Sequence, residues 1–70
     1  MRYAVVIESA GSNFSAYVPY FSGCIATGAS LAETEAAICE AIGFHLAGLR
    51  VDGSPIPPPS SRVEYVEAIA

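Results

Sequence analysis

A proline-rich segment near the C-terminal end constrains the fold of this chain more than any other feature of its sequence. Residues 54–61 read Ser-Pro-Ile-Pro-Pro-Pro-Ser-Ser, and four of these eight residues therefore have no backbone N–H to donate. Such a segment cannot lie inside a sheet or a helix, and we expect a stiff, extended link of polyproline type. The segment divides the chain into a long N-terminal part and a short C-terminal one. The whole length of 70 residues indicates a single domain (1–70).

The first part of the chain predicts three short strands. β-branched and aromatic residues, which favour strands, are frequent in 3–8 and 14–18, and a shorter run follows at 24–27. The first connection contains Gly11 and Asn13, either of which can adopt the positive φ of a tight turn. Short links between successive strands predict an antiparallel meander.

A helix is predicted to follow. Ser30 suits the N-cap, and Glu33 three positions later completes a capping box, in which the carboxylate reaches back to the cap. Gly53 is a typical stop signal beyond the helix end. Apolar residues recur at helical spacing and predict the buried face: Leu31, Ile38, Ile42, Leu46 and Leu49.

The segment 62–69 resumes with Val63, Tyr65 and Val66 and predicts a last strand. A crossover through a helix is right-handed and returns the chain parallel to its starting strand. We therefore expect an α+β fold of the order β-β-β-α-β in two layers. One mixed four-stranded sheet in the order 3-2-1-4 would carry one helix on one face.

The charge balance restricts the classes of partner. The net charge is −4, and the cations are three arginines without any lysine. Scattered arginines make a poor phosphate-binding surface, so we expect no direct binding of nucleic acid. A basic protein partner fits the charge better, although acidity that serves only solubility remains equally open.

Neither a membrane span nor a secretory signal is predicted. No segment approaches the roughly 20 apolar residues of a spanning helix, and the N-terminus has no long apolar core followed by a cleavage site. Cys24 and Cys39 belong to no CxxC or Cys/His cluster. These features indicate a cytoplasmic protein with reduced thiols and no metal.

No residue pattern predicts catalysis or a cofactor. His45 is the one histidine and has no carboxylate on its own helical face, so it is interpreted as a boundary residue of the core. Cys24 and Cys39 are interpreted as small buried hydrophobes. The carboxylates are spread over several elements and are interpreted as surface charges: Glu8, Glu33, Glu35, Glu40, Asp52, Glu64 and Glu67.

Two aromatic residues in the connection after the second strand are candidates for partner binding. Tyr20 and Phe21 follow Pro19 closely, and rigid rings bury area at little cost in entropy. The alternative is that both rings pack on the open face of the sheet.

The order of several motifs resembles the N-terminal domain of the HicB-type antitoxin family. Residues 17–33 read Tyr-Val-Pro-Tyr-Phe-Ser-Gly-Cys-Ile-Ala-Thr-Gly-Ala-Ser-Leu-Ala-Glu, and 3–8 matches the family's first strand. Residues 53–60 read Gly-Ser-Pro-Ile-Pro-Pro-Pro-Ser, which is similar to the family's link. The motif residues that carry the resemblance are Pro19, Gly23, Cys24, Gly28, Ser30, Glu33, Gly53, Pro55 and Pro57.

The resemblance implies a partially degraded RNase H-like fold without catalytic carboxylates. It also implies a protein that binds and masks a small basic HicA-type toxin, which cleaves mRNA. The sequence departs from the family at Tyr20, usually aspartate, and at Ser22, usually proline. The DNA-binding domain that many members carry at the C-terminus is not expected here. The contacts that we expect are Tyr20, Phe21, Glu64 and Glu67, and the alternative is a self-associating structural protein, a homo-oligomer without a toxin.

Overall fold

The computed structural model describes residues 1–69 as a small antiparallel sheet that is covered on one face by a long helix. The elements are β1 (Val6–Ala10), β2 (Asn13–Tyr17), β3 (Ile25–Gly28) and α1 (Leu31–Val51). The sheet has the order β1-β2-β3, with both pairs antiparallel, and the helix packs mainly on β2 and β3. The predicted meander followed by a helix is confirmed.

A two-residue turn closes the β1–β2 hairpin. Ala10 pairs with Asn13, so that Gly11 and Ser12 alone form the loop. Gly11 has φ 73°, and among residues 1–69 only glycines have a positive φ. A positive φ at only the first central position is the pattern of a type II′ turn, whose twist matches that of the strands. Of the two candidates for this conformation, Gly11 is the one that adopts it.

Both ends of α1 are capped by the residues that the sequence indicates. The Glu33 backbone N–H donates to Ser30 Oγ at 3.1 Å, and the Glu33 carboxylate accepts from the Ala29 N–H at 3.1 Å, one residue before the cap. At the other end Gly53, with φ 72°, donates to the Arg50 carbonyl, and the Ser54 N–H donates to the Leu49 carbonyl. This pair of hydrogen bonds is a Schellman motif, which satisfies carbonyls that the helix leaves free.

The core is small and lies between α1 and the β2–β3 half of the sheet. Its buried apolar residues are Ala16, Val18, Phe21, Cys24 and Ile38. The predicted helix face is wrong at its first position, because Leu31 is half exposed to solvent. Thr34 is fully buried instead, since its hydroxyl is satisfied by donating to the Ser30 carbonyl at 2.8 Å.

The prediction of a mixed four-stranded sheet in the order 3-2-1-4 is wrong. Residues 62–69 have no regular secondary structure and are exposed, so the sheet described within 1–69 has three strands and β1 is at its edge. The proline link precedes this difference. Pro57 is held at Tyr3 by a 2.6 Å hydrogen bond, and the fixed φ of Pro58 and Pro59 restricts the path of the chain that follows.

No helix within residues 1–69 combines the length and the apolar character needed to cross a bilayer.

Candidate partner-binding surface

The connection between β2 and β3 is a loop held closed by its own backbone. The Val18 N–H donates to the Cys24 carbonyl at 3.1 Å, and the Phe21 N–H donates to the Val18 carbonyl at 3.1 Å. The Cys24 N–H donates to the Phe21 carbonyl at 3.3 Å, and Gly23 has φ 79°, which closes the turn. These bonds fix the backbone around two adjacent aromatic residues and direct one ring inward and the other outward.

Four rings from distant parts of the chain meet at this loop, and we call them the aromatic cluster: Tyr3, Tyr20, Phe21 and His45. Phe21 lies at its centre, with ring centroids 4.8 Å from Tyr3, 5.4 Å from Tyr20 and 4.4 Å from His45. Its side chain is only 6% exposed, whereas Tyr20 is 37% exposed. Phe21 therefore belongs to the core and supports Tyr20, which is the ring that a partner can reach.

A shallow depression of about 510 Å³ lies beside Tyr20 and is formed by residues 17–25. Its rim carries Ile25, an apolar side chain that is 70% exposed. An exposed aromatic ring and an exposed aliphatic side chain beside a closed loop provide apolar area for a protein partner.

The acidic residues expected to contact a partner lie elsewhere, on the exposed segment 62–69. Glu64 and Glu67 are both exposed. Arg62 Nη2 donates to Glu64 Oε1 at 2.8 Å, but both side chains are solvated and such pairs contribute little stability. The four expected contact residues therefore lie in two places, the β2–β3 loop and this segment.

Of the titratable residues considered for catalysis, Cys24 and His45 pack in or against the core, whereas the interpretation of Cys39 as buried is wrong, because its side chain is exposed. Burial raises the pKa of the Cys24 thiol, which makes it a poorer nucleophile. The His45 ring stacks against Phe21 and is half-buried. Among residues 1–69 no three side chains of His, Cys, Asp or Glu are grouped so that they would hold a metal ion.

A second surface was not predicted from the sequence. Because α1 covers mainly β2 and β3, an open cleft of about 390 Å³ remains between the other side of the helix and β1. We call it the β1–α1 cleft, and its lining residues are Val5, Ile7, Glu35, Ile38, Cys39 and Ile42. The apolar stripe of the helix already contained Ile38 and Ile42, but Ile38 is buried in the core and only Ile42 is partly uncovered beside β1.

Tyr3 was also missed as part of the site. Its ring stacks in the aromatic cluster, and its hydroxyl holds the proline link. A tyrosine before the first strand gives no signal of contacts with residues 18 and 54 positions away.

Comparisons with known proteins agree with this architecture. A family model described as a HicB-like antitoxin of bacterial toxin–antitoxin systems matches residues 3–69. The chain is 30% identical over 66 residues to an uncharacterized 14.9 kDa protein in the rep-hol intergenic region of Haemophilus phage HP1 (strain HP1c1). The match covers 94% of this chain and 50% of the phage protein, so the chain spans about half the length of this relative. No solved structure matches. Since the family model covers nearly all of the sequence, the chain belongs to the HicB-like antitoxins of bacterial toxin–antitoxin systems.

Proposed function

We propose that this chain binds a small, basic, HicA-type ribonuclease in the cytoplasm and masks its RNA-cleaving surface without catalysing a reaction itself. The observation that carries the proposal is the exposed Tyr20 ring, held on Phe21 and Tyr3 at a loop whose backbone is closed. A ring that is already ordered loses little entropy when it is buried in an interface.

The charge distribution supports a basic partner. The net charge of −4 attracts a cationic protein and accelerates its encounter with this chain. Glu64 and Glu67 are exposed on the segment 62–69, where they can pair with cations of the toxin. In the proposed complex, Tyr20 and Ile25 provide apolar contact area, and the two carboxylates orient the toxin.

The residue at position 20 is expected to affect which toxin surface the chain recognises. Where the family usually has an aspartate, this chain presents an aromatic ring with a hydroxyl, so the toxin is expected to offer an apolar or cationic surface there. Arginine suits both requirements, because its guanidinium stacks on aromatic rings.

An RNA-cleavage assay with the cognate toxin tests this function. Wild-type protein is expected to abolish cleavage at equimolar concentration, and Tyr20→Ala is expected to need roughly tenfold more protein or above, as for an aromatic hot spot. Phe44→Ala is the matched control, because Phe44 is an aromatic residue 71% exposed on α1 and outside the cluster. A stable complex in which cleavage continues unchanged would refute masking.

A second function is favoured by a separate observation, an open β1 edge in a chain whose segment 62–69 also exposes apolar side chains. A structural protein that associates with itself and has no toxin partner would use these surfaces. Loss of inhibition in the assay above, together with a stable homo-oligomer, would support this alternative.

A further inference from the structure

The chain exposes far more surface than a compact protein of its size. Its accessible surface is 5254 Å², whereas a compact monomer of this mass exposes about 4,200 Å². Its radius of gyration is 13.8 Å, compared with about 11 Å for a compact chain of this length. Residues 62–69, which we call the tail, contribute to this excess, because every one of them is exposed.

The tail is more apolar on one side than on the other if it runs as a strand, because alternate residues of a strand point in the same direction. One side would carry Val63, Tyr65, Glu67 and Ile69, and the opposite side Arg62, Glu64, Val66 and Ala68. Three of the four residues on the first side are large and apolar, and Tyr65 and Ile69 are 95% and 99% exposed. Apolar area of this kind is normally covered.

The β1–α1 cleft offers a surface that matches this side of the tail. Its lining is mostly aliphatic and includes Ile7 and Ile38, and β1 beside it is an unpaired edge. The edge lacks several of the usual protections against pairing: β1 pairs with β2 in a continuous register without a bulge, and it contains neither lysine nor proline. Glu8 is its one charged residue.

We propose that two copies of this chain exchange tails, so that the tail of each copy lies along β1 and fills the β1–α1 cleft of the other. Each chain keeps its own three-stranded sheet, and the arrangement has twofold symmetry because each copy both gives and receives a tail. The proposal concerns this chain alone and does not depend on the binding of a toxin.

The proline link is the reason that the occupant is a second copy and not the chain's own tail. Tyr3 holds the carbonyl of Pro57, and the fixed φ of Pro58 and Pro59 limits the paths open to the tail that follows. No residue of 62–69 lines the cleft of its own chain, so the cleft is open to the tail of a second copy. The excess surface of two copies, about 2,000 Å², is also in the range of a stable interface.

Light scattering during size-exclusion chromatography tests the proposal with two valine variants. Wild-type protein is expected to be a dimer. Val63→Asp would put a charge into the apolar cleft and is expected to weaken the dimer by roughly tenfold or more. Val66→Asp makes the same change on the other side of the tail and is expected to leave the dimer intact. A monomeric wild type, or equal effects of the two variants, would overturn the proposal.

Disulfide trapping identifies the occupant of the cleft. Cys39 is a free, exposed thiol in the cleft lining, whereas Cys24 is buried. With oxidised glutathione, Tyr65→Cys is expected to form a disulfide with Cys39 of the other copy, which gives a covalent dimer on a non-reducing gel. Val66→Cys is the matched control and is expected to react more slowly. Peptide mass spectrometry on a mixture of ¹⁵N-labelled and unlabelled chains should find cross-links that contain one chain of each kind. A Tyr65→Cys disulfide confined to single chains would mean that the tail occupies its own cleft and would refute exchange.

Discussion

The Tyr3 hydroxyl donates a 2.6 Å hydrogen bond to the carbonyl of Pro57, a residue 54 positions later in the sequence. This bond attaches the proline link to a residue three positions before β1. The Tyr3 ring also lies 4.8 Å from the ring of Phe21, the centre of the aromatic cluster. One side chain therefore connects the candidate partner-binding loop with the segment that directs the tail.

Removing this hydroxyl tests how firmly the link is held. Tyr3→Phe keeps the ring in the cluster but leaves the Pro57 carbonyl without this donor, and a loss of about 1 kcal/mol in the free energy of unfolding is expected. Urea denaturation measures this change. Tyr17→Phe is the control, because Tyr17 is exposed on β2, and its unfolding free energy should stay close to that of the wild type. Equal effects of the two variants would mean that the Tyr3–Pro57 bond contributes no net stability.

The close approach of β3 to α1 requires a glycine at position 28. A Cβ atom placed on Gly28 would lie 2.6 Å from Thr34 Oγ1 and 2.8 Å from the Thr34 backbone nitrogen. Gly28→Ala is therefore expected to destabilise the protein by roughly 1–3 kcal/mol, since the helix must move away from the strand. Thermal unfolding followed by circular dichroism measures the effect.

Two further variants show whether the Gly28 effect is steric. Gly43→Ala places the same methyl group on α1 where no atom lies within 4 Å, and it is expected to stabilise the helix by up to about 1 kcal/mol. Adding Thr34→Ala to Gly28→Ala should rescue little, because the backbone nitrogen of residue 34 remains in the way. Full rescue by this double variant would contradict the backbone contact.

The N-cap of α1 provides a third prediction. Ser30→Ala removes the acceptor of the Glu33 N–H and is expected to lower the free energy of unfolding by roughly 1 kcal/mol. Ser61→Ala, in the exposed link, is the control and should have almost no effect. If both variants unfold like the wild type, the capping hydrogen bond contributes nothing measurable in solution.

The elements that the sequence predicted correctly depend on local chemistry. The cap at Ser30, the stop at Gly53 and the turn at Gly11 each follow from the conformational preferences of a few neighbouring residues. The tail was predicted wrongly for the opposite reason. Its β-branched and aromatic residues indicate a strand, but a strand needs a neighbour, and the position of that neighbour depends on the path of the link.

The site was predictable only in part for the same reason. Tyr20 and Phe21 were identified as adjacent aromatics, but the sequence does not tell which of the two rings points inward. The closed backbone of the loop decides this, and it places Phe21 against His45. The β1–α1 cleft exists because no strand covers that side of α1, and an uncovered surface of this kind has no signal in a single sequence.

The two free cysteines should differ in reactivity. Cys24 is buried, and burial raises the pKa of its thiol above the ordinary value of 9.0, whereas Cys39 is exposed. Iodoacetamide at neutral pH is expected to modify Cys39 first and Cys24 only after unfolding, because the thiolate is the reactive form. Peptide mass spectrometry over time measures both rates. Similar rates at the two positions would contradict the burial of Cys24.

The raised pKa of Cys24 also predicts a dependence of stability on pH. The folded chain binds the thiol proton more tightly than the unfolded chain does, so this contribution is complete below pH 9.0 and is lost as the pH rises through the higher pKa of the folded state. As the pH rises above 9.0, the free energy of unfolding should fall less in Cys24→Ala than in the wild type. Urea denaturation below and above that pH measures the difference. A parallel decline in both proteins would assign the effect to other groups.

Salt should act in opposite directions on the two proposed interactions. Each copy carries a net charge of −4, so two copies repel each other, and the proposed contact between tail and cleft is apolar. Added salt screens charges beyond about 10 Å at 0.1 M and is expected to strengthen the dimer, whereas it should weaken a complex with a basic toxin. Sedimentation equilibrium at low and high NaCl concentrations measures the first effect, and titration calorimetry measures the second.

Two charge variants test where the copies meet. Glu35→Gln removes a charge at the cleft and should strengthen the dimer at low salt. Glu40→Gln removes the same charge from an exposed position on α1 that does not line the cleft, and its effect should be smaller. A dimer that weakens with salt, or equal effects of these two variants, would place the contact between copies on a different surface.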